Sequence, residues 1–98
     1  MIEIRQTSIF AEWFRALRDM QGRARIQMRL DRIGRGLFGD VKPVGAGVSE
    51  LRIDYGPGYR IYFVQRGPVM LILLCGGNKR TQSHDISAAK SMAGDLKE

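Results

Sequence analysis

Ninety-eight residues with a formal net charge of +6 make one domain around one core, too short for separate catalytic and regulatory halves. No apolar run approaches the roughly 18 residues that span a bilayer, and the opening MIEIRQTSIF has no signal-peptide core, so a cytoplasmic location without membrane contact is expected. One cysteine and one histidine exclude a disulfide framework and a zinc constellation, and neither metal nor cofactor is expected.

Ile2 to Arg5 alternates apolar and charged residues, as a short strand does. Thr7 and Ser8 offer N-caps for a helix with Ile9, Phe10, Trp13, Phe14, Leu17 and Met20 at helical spacing. Gly22 interrupts that pattern near Asp19. Ile26, Leu30, Ile33 and Leu37 then predict a second helix and hence an α-hairpin. From Arg15 to Arg35 there are seven arginines and two aspartates, a net of +5. Two readings stand for that run: a solvated outer face with Asp31 and Arg35 paired, or an electrostatic footprint for RNA or an acidic partner segment. Arginine supplies 12 of the 16 basic residues, which favours phosphate or carboxylate recognition.

Gly34, Gly36 and Gly39 end the second helix, and Gly45 and Gly47 bracket a tight connection. No Gly-Lys-Ser/Thr follows, so this is not a phosphate loop. Lys42 falls on a short strand or its lead-in. From Ser49 to Phe63, Leu51 and Ile53 alternate with Glu50, Arg52 and Asp54; after Gly56-Pro57-Gly58, Ile61 and Phe63 alternate with Arg60, Tyr62 and Val64. A hairpin with its apolar set inward places Arg52 and Arg60 together on the opposite face. Pro57 fits the first central position of its turn and Gly58, with positive φ, the second. Val69 to Cys75 is an unbroken apolar strand suited to a centre covered on both faces, with Gly76 and Gly77 ending it and Cys75 a buried thiol. Asn78 to Gln82 emerges at the end of that strand. Ser83 or Asp85 can cap a last helix with Ile86, Ala89, Met92, Ala93 and Leu96 as its stripe, and Met20, Met28, Met70 and Met92 read as packing residues. The expected order is β-α-α-β-β-β-α, an α+β design with helices packed on a small, mainly antiparallel sheet.

Six segments together carry a resemblance. They are Trp13-x3-Leu17-x-Asp19, Arg25-Ile26-x2-Arg29-Leu30-x-Arg32-Ile33, Phe38-Gly39-Asp40-x-Lys42, Glu50-Leu51-Arg52-Ile53, Gly58-Tyr59-Arg60-Ile61-Tyr62 and Leu73-Leu74-Cys75-Gly76-Gly77-x-Lys79. In this order and spacing the chain resembles the RelE/ParE toxin superfamily, and most closely the HigB-like, phage Gp49-like addiction-module killer proteins. The resemblance implies a compact, microbial-ribonuclease-like domain over residues 1–98 and a toxin of a type II toxin-antitoxin pair. RelE- and HigB-like members cut messenger RNA, commonly in the ribosomal A site, and are silenced by a co-encoded antitoxin, here expected to be a small helix-turn-helix DNA-binding protein. ParE-like members share the fold and inhibit gyrase without hydrolysis. An inactive toxin kept as the antitoxin's co-repressor partner is a third reading, because fold does not decide activity.

Metal-independent RNA cleavage needs a base for the 2′-hydroxyl, cations for the phosphorane and an acid for the leaving 5′-oxygen. Arg52 and Arg60 suit the second task, since each offers paired N–H donors. The resemblance adds Lys79 to them, with Lys42 and Arg80 as further RNA-contacting residues. Glu50, on the same strand face, is either the base or a carboxylate that orients Arg52 or Arg60. Lys79 either transfers a proton or holds phosphate. His84 is either the acid or a residue of the last helix's first turn. Tyr62, on the arginine face, is a candidate stacking surface for a base, whereas Tyr55 and Tyr59 are expected to pack across the turn, and Trp13 and Phe14 in the core.

Overall fold

The alternating hairpin and the apolar run after it build the centre of a five-stranded sheet. A computed structural model describes residues 1–96. In chain order it contains β1 (Glu3–Gln6), α1 (Ser8–Ala16), α2 (Met20–Gly34), β2 (Val41–Gly45), β3 (Val48–Ile53), β4 (Tyr59–Arg66), β5 (Met70–Gly77), a 3-10 turn (Lys79–Thr81) and α3 (Gln82–Asp95). The sheet order is β1-β5-β4-β3-β2, with β1 parallel to β5 and the other pairs antiparallel. The α+β architecture is the expected one, with the segment around Lys42 forming a strand of its own at the edge.

Both faces of the sheet are covered. Leu51, Ile53, Ile61, Phe63, Leu71 and Leu73 point to one face and pack with Phe10, Ile26, Leu30 and Ile33 of α1 and α2. Val48, Tyr62, Val64, Leu74 and Cys75 point to the other and pack with Ala89, Ile86 and Met92 of α3. Leu73 and Leu74 go to opposite faces as alternation demands, but Cys75 follows Leu74 to the same side. A β-bulge explains this: Phe63 pairs with Leu73 and Tyr62 with Cys75, leaving Leu74 as the extra residue.

Local chemistry sets the helix boundaries. The Thr7 hydroxyl accepts from Phe10 N–H and donates to the Leu74 carbonyl, so one side chain caps α1 and fastens it to the central strand. Asp19 caps α2 by accepting from Gly22 N–H at 3.0 Å. Gly22 therefore lies inside α2 rather than ahead of it, and its lack of a side chain serves packing: a Cβ would stand 2.6 Å from the Tyr59 ring and 2.7 Å from the Asp19 carboxylate. Gly22→Ala is accordingly expected to lower stability by about 1–2 kcal/mol, overpacking outweighing the gain of about 1 kcal/mol in helix propensity. Thermal unfolding of the two proteins checks this, and a higher melting temperature for the variant contradicts it.

Other expectations give way for stated reasons. α2 stops at Gly34, so Leu37 falls beyond it and is 61% exposed; Ile9, Met20 and Met28 are also exposed rather than packed. Asp31 accepts from Gln27 one turn earlier instead of pairing with Arg35, which lies past the helix end. Gly76 and Gly77 sit within β5, beneath the Trp13 ring and the Asp85 carboxylate, where any side chain would collide. α3 begins at Gln82, before either proposed cap, and Asp85 instead accepts from the Thr81 hydroxyl. No helix among the described residues is long and apolar enough to cross a membrane.

Candidate functional site

Arg52 and Arg60 are direct cross-strand partners in the β3–β4 register, so their shared face follows from strand geometry alone. Both line a concavity of about 340 Å³ together with Lys79, Asp40, Asp54, Tyr55 and the hairpin turn. Lys79 arrives from the 3-10 turn that follows β5. Its backbone N–H donates to the Pro57 carbonyl at 3.3 Å, and Asn78 caps the turn by accepting from Arg80 and Thr81 N–H.

The hairpin turn closes through Gly58 N–H to the Tyr55 carbonyl, so Gly56 and Pro57 are its central residues, one position earlier than the sequence suggests. Gly58 nevertheless has the expected positive φ, +75°. A Cβ there would lie 3.3 Å from that of Lys79, so this glycine also permits the lysine to approach Arg60.

The two arginines are held differently. Arg52 Nε faces the Asp40 carboxylate at 3.3 and 3.4 Å in an exposed pair. Arg60, with a side chain only 12% exposed, has its Nε 3.9 Å from Glu50 Oε2. Glu50 is 1% exposed, and the same Oε2 accepts from Tyr62 O–H at 2.9 Å and from Gln82 Nε2 at 2.8 Å. Burial, reinforced by the bond to Glu50, raises the pKa of Tyr62 well above the ordinary phenol value.

The remaining candidates separate along the same lines. Tyr62 is fully buried beneath α3, so it cannot stack on a base. Glu50 is closed off from the concavity's solvent, which favours the orienting alternative over the base. Lys42 is exposed on β2 opposite Glu50, one row along from the arginine pair and outside the concavity. Arg80 is exposed and lines a neighbouring hollow with Pro57, Asn78 and Lys79. His84 is exposed on the first turn of α3; two residues past Gln82 means roughly 200° around the helix, so it points away from the face Gln82 presents to Glu50. Cys75 is buried, its thiol pushed up to about 11 by burial, which suits packing and not nucleophilic attack.

Three contributors escaped the sequence reading. Asp54 lines the concavity two residues past Arg52, an extension of the same alternation that was legible but unused. Asp40 and Gln82 gave no local signal, because each meets its arginine or carboxylate through a loop or helix distant in sequence. Tyr55 and Tyr59, on either side of the turn, belong to the same core and also fasten the turn to α2. Tyr55 O–H donates to Gln21 and its ring carries the Arg25 guanidinium at 4.5 Å, while Tyr59 O–H donates to Asp19 at 2.9 Å.

That last bond couples the site's turn to pH. The Gly22 N–H, then the Tyr59 hydroxyl, draws Asp19 below the usual carboxylate range. Burial, then the bond to Asp19, pushes Tyr59 up to about 12. A raised tyrosine pKa makes its share of stability complete below about pH 10 and lost as pH rises through about 12. The stability difference between the native chain and Tyr59→Phe should therefore hold constant from about pH 6 to 9 and shrink at higher pH in urea unfolding series. An unchanged difference at about pH 12 contradicts the assignment.

No protein-family model matches the chain. It is similar to an uncharacterized protein of Haemophilus influenzae, 45% identical over 95 residues that cover 97% of this chain and 96% of that protein. The two belong to one family. The likeness runs through every element that builds the concavity, so the comparison concerns the whole domain and not a fragment.

Proposed function

We propose that this protein is the toxin of a type II toxin-antitoxin pair and cuts messenger RNA on the ribosome without a metal. The observation that carries the reading is the convergence of Arg52, Arg60 and Lys79 on one solvent-open concavity, with two of the three fixed on paired strands of a rigid sheet. With each Nε turned to a carboxylate, the terminal N–H donors of the two guanidiniums match the non-bridging oxygens of a phosphodiester, and their charge matches the negative charge that grows in the phosphorane.

In this reading the 2′-hydroxyl attacks the adjacent phosphorus as Asp54 takes its proton. Asp40 already faces Arg52, so Asp54, the other carboxylate lining the concavity, is assigned the role of base. The bond to the 5′-oxygen breaks, Lys79 supplies that oxygen with a proton, and the products are a 2′,3′-cyclic phosphate and a 5′-hydroxyl end. The basic α1–α2 surface steers the domain toward RNA or an acidic partner segment, and a small helix-turn-helix antitoxin is the partner that silences it.

Mapping RNA ends after induced expression tests the reading. New 5′-hydroxyl ends within coding sequences, ahead of any DNA damage, are expected. Filamentation and DNA breaks with intact messenger RNA favour gyrase inhibition instead, and no toxicity at all favours a co-repressor role.

A further inference from the structure

We infer that Glu50 is a positioning residue: a buried carboxylate, held by Tyr62 and Gln82, that sets the direction of Arg60 so that its terminal nitrogens face the concavity. The inference rests on the proposed reading of Arg60 as a phosphate-binding group. Its physical basis is the asymmetry between the two arginines. Arg52 meets Asp40 at the surface, where both side chains are solvated and free to separate; its side chain is 37% exposed.

Arg60 has no such freedom. Its Nε is buried, has no hydrogen-bond partner among the described residues, and lies 3.9 Å from the Glu50 Oε2. Glu50 in turn cannot swing, because its Oε2 accepts two hydrogen bonds from side chains on two different elements, β4 and α3. The ring of Tyr62 is packed beneath α3, and Gln82 sits on the first turn of that helix. Docking of α3 thus fixes Gln82 and Tyr62, they fix Glu50, and Glu50 holds the Nε edge of Arg60 inward. The opposite edge, with Nη1 near Gly58, lines the concavity. Preset in this way, Arg60 loses little rotamer freedom when an anion binds, which is where preorganised donors gain over mobile ones.

The test follows the Arg60 Nε–H pair of the full chain by proton–nitrogen NMR, assigned by its loss in Arg60→Lys, with inorganic phosphate as the probe. In the native chain this proton should exchange with water at least roughly tenfold more slowly than that of Arg80. In Glu50→Gln and in Gln82→Ala the protection should fall, and phosphate should bind roughly tenfold more weakly in the former, in line with loss of a charge-assisted contact. Where Glu50→Gln does not fold, Gln82→Ala and Tyr62→Phe, each removing one donor to the carboxylate, carry the same comparison. An Arg60 proton as labile as that of Arg80, protection unmoved in all the folded variants, or unchanged phosphate affinity despite lost protection overturns the inference. A native chain whose Arg60 proton is protected in a Glu50-dependent way but which binds no phosphate refutes the proposed function and leaves the role of Glu50 in place.

Discussion

Arg60→Ala is expected to abolish growth arrest and to reduce RNA cleavage on the order of 10²–10³-fold, the usual effect of removing one preorganised donor from a developing oxyanion. The size follows from how Arg60 is held. Its side chain is only 12% exposed and lines the concavity beside Glu50, whereas Arg52 meets Asp40 at the surface and Lys79 is exposed, so neither offers an equally preset donor there. Arg60→Lys should recover only a small part of the activity, because a lysine keeps the charge but loses the planar, paired donors. Both variants should still bind the antitoxin when folded, with Arg60→Ala the less stable, because it leaves the buried Glu50 carboxylate without its ion-pair partner. Cleavage of ribosome-bound messenger RNA by the purified variants, alongside circular dichroism and antitoxin pull-down, measures all three properties. Native-level cleavage in Arg60→Ala would remove this residue from the chemistry.

Arg29→Ala should produce a large loss of stability, about 2–3 kcal/mol, because it strips hydrogen bonds from two backbone carbonyls that have been drawn out of water. Arg29 Nη1 donates to the Arg52 carbonyl at 2.6 Å and Nη2 to that of Phe38 at 3.2 Å. One side chain on α2 thereby fastens the end of β3 to the loop that carries Asp40. Burial lowers the Arg29 pKa from its usual value, with the attraction of Asp40 opposing that shift. Chemical unfolding gives the stability change. A second readout, RNA cleavage by the variant under folding conditions, should also fall, since Arg52 and Asp40 lose their common anchor.

Arg29 also marks the limit of what the sequence disclosed. Seven arginines in the α-hairpin read as an electrostatic surface, and their number conceals that this one is a structural strut. Local alternation was enough to pair Arg52 with Arg60 and to send Leu51, Ile53, Ile61 and Phe63 inward, because a strand's faces are set by neighbouring residues. The same alternation put Tyr62 on the arginine face, and correctly so. What it could not convey is that α3, twenty residues later in the chain, lies over that part of the face and leaves only the arginine end open. Lys79 came within reach for a simpler reason: whatever follows a central strand emerges at the sheet's end, and the hairpin turn ends there too. Gly22 misled in the opposite direction, its role fixed by a tyrosine ring far along the chain rather than by helix propensity.

The parallel pairing of β1 with β5 governs the order in which the molecule can be made. The β3–β4 hairpin joins strands separated by a short turn, so its two arginines can meet as soon as that segment leaves the ribosome. β1 has no neighbour until β5 exists; Glu3 pairs with Met70, and Thr7 bonds across 67 residues to Leu74. Closing so long a loop is slow compared with forming a hairpin. Lys79 and Gln82 come later still. A nascent chain therefore carries an incomplete cation cluster and an unanchored Glu50 until α3 has emerged and docked on the sheet.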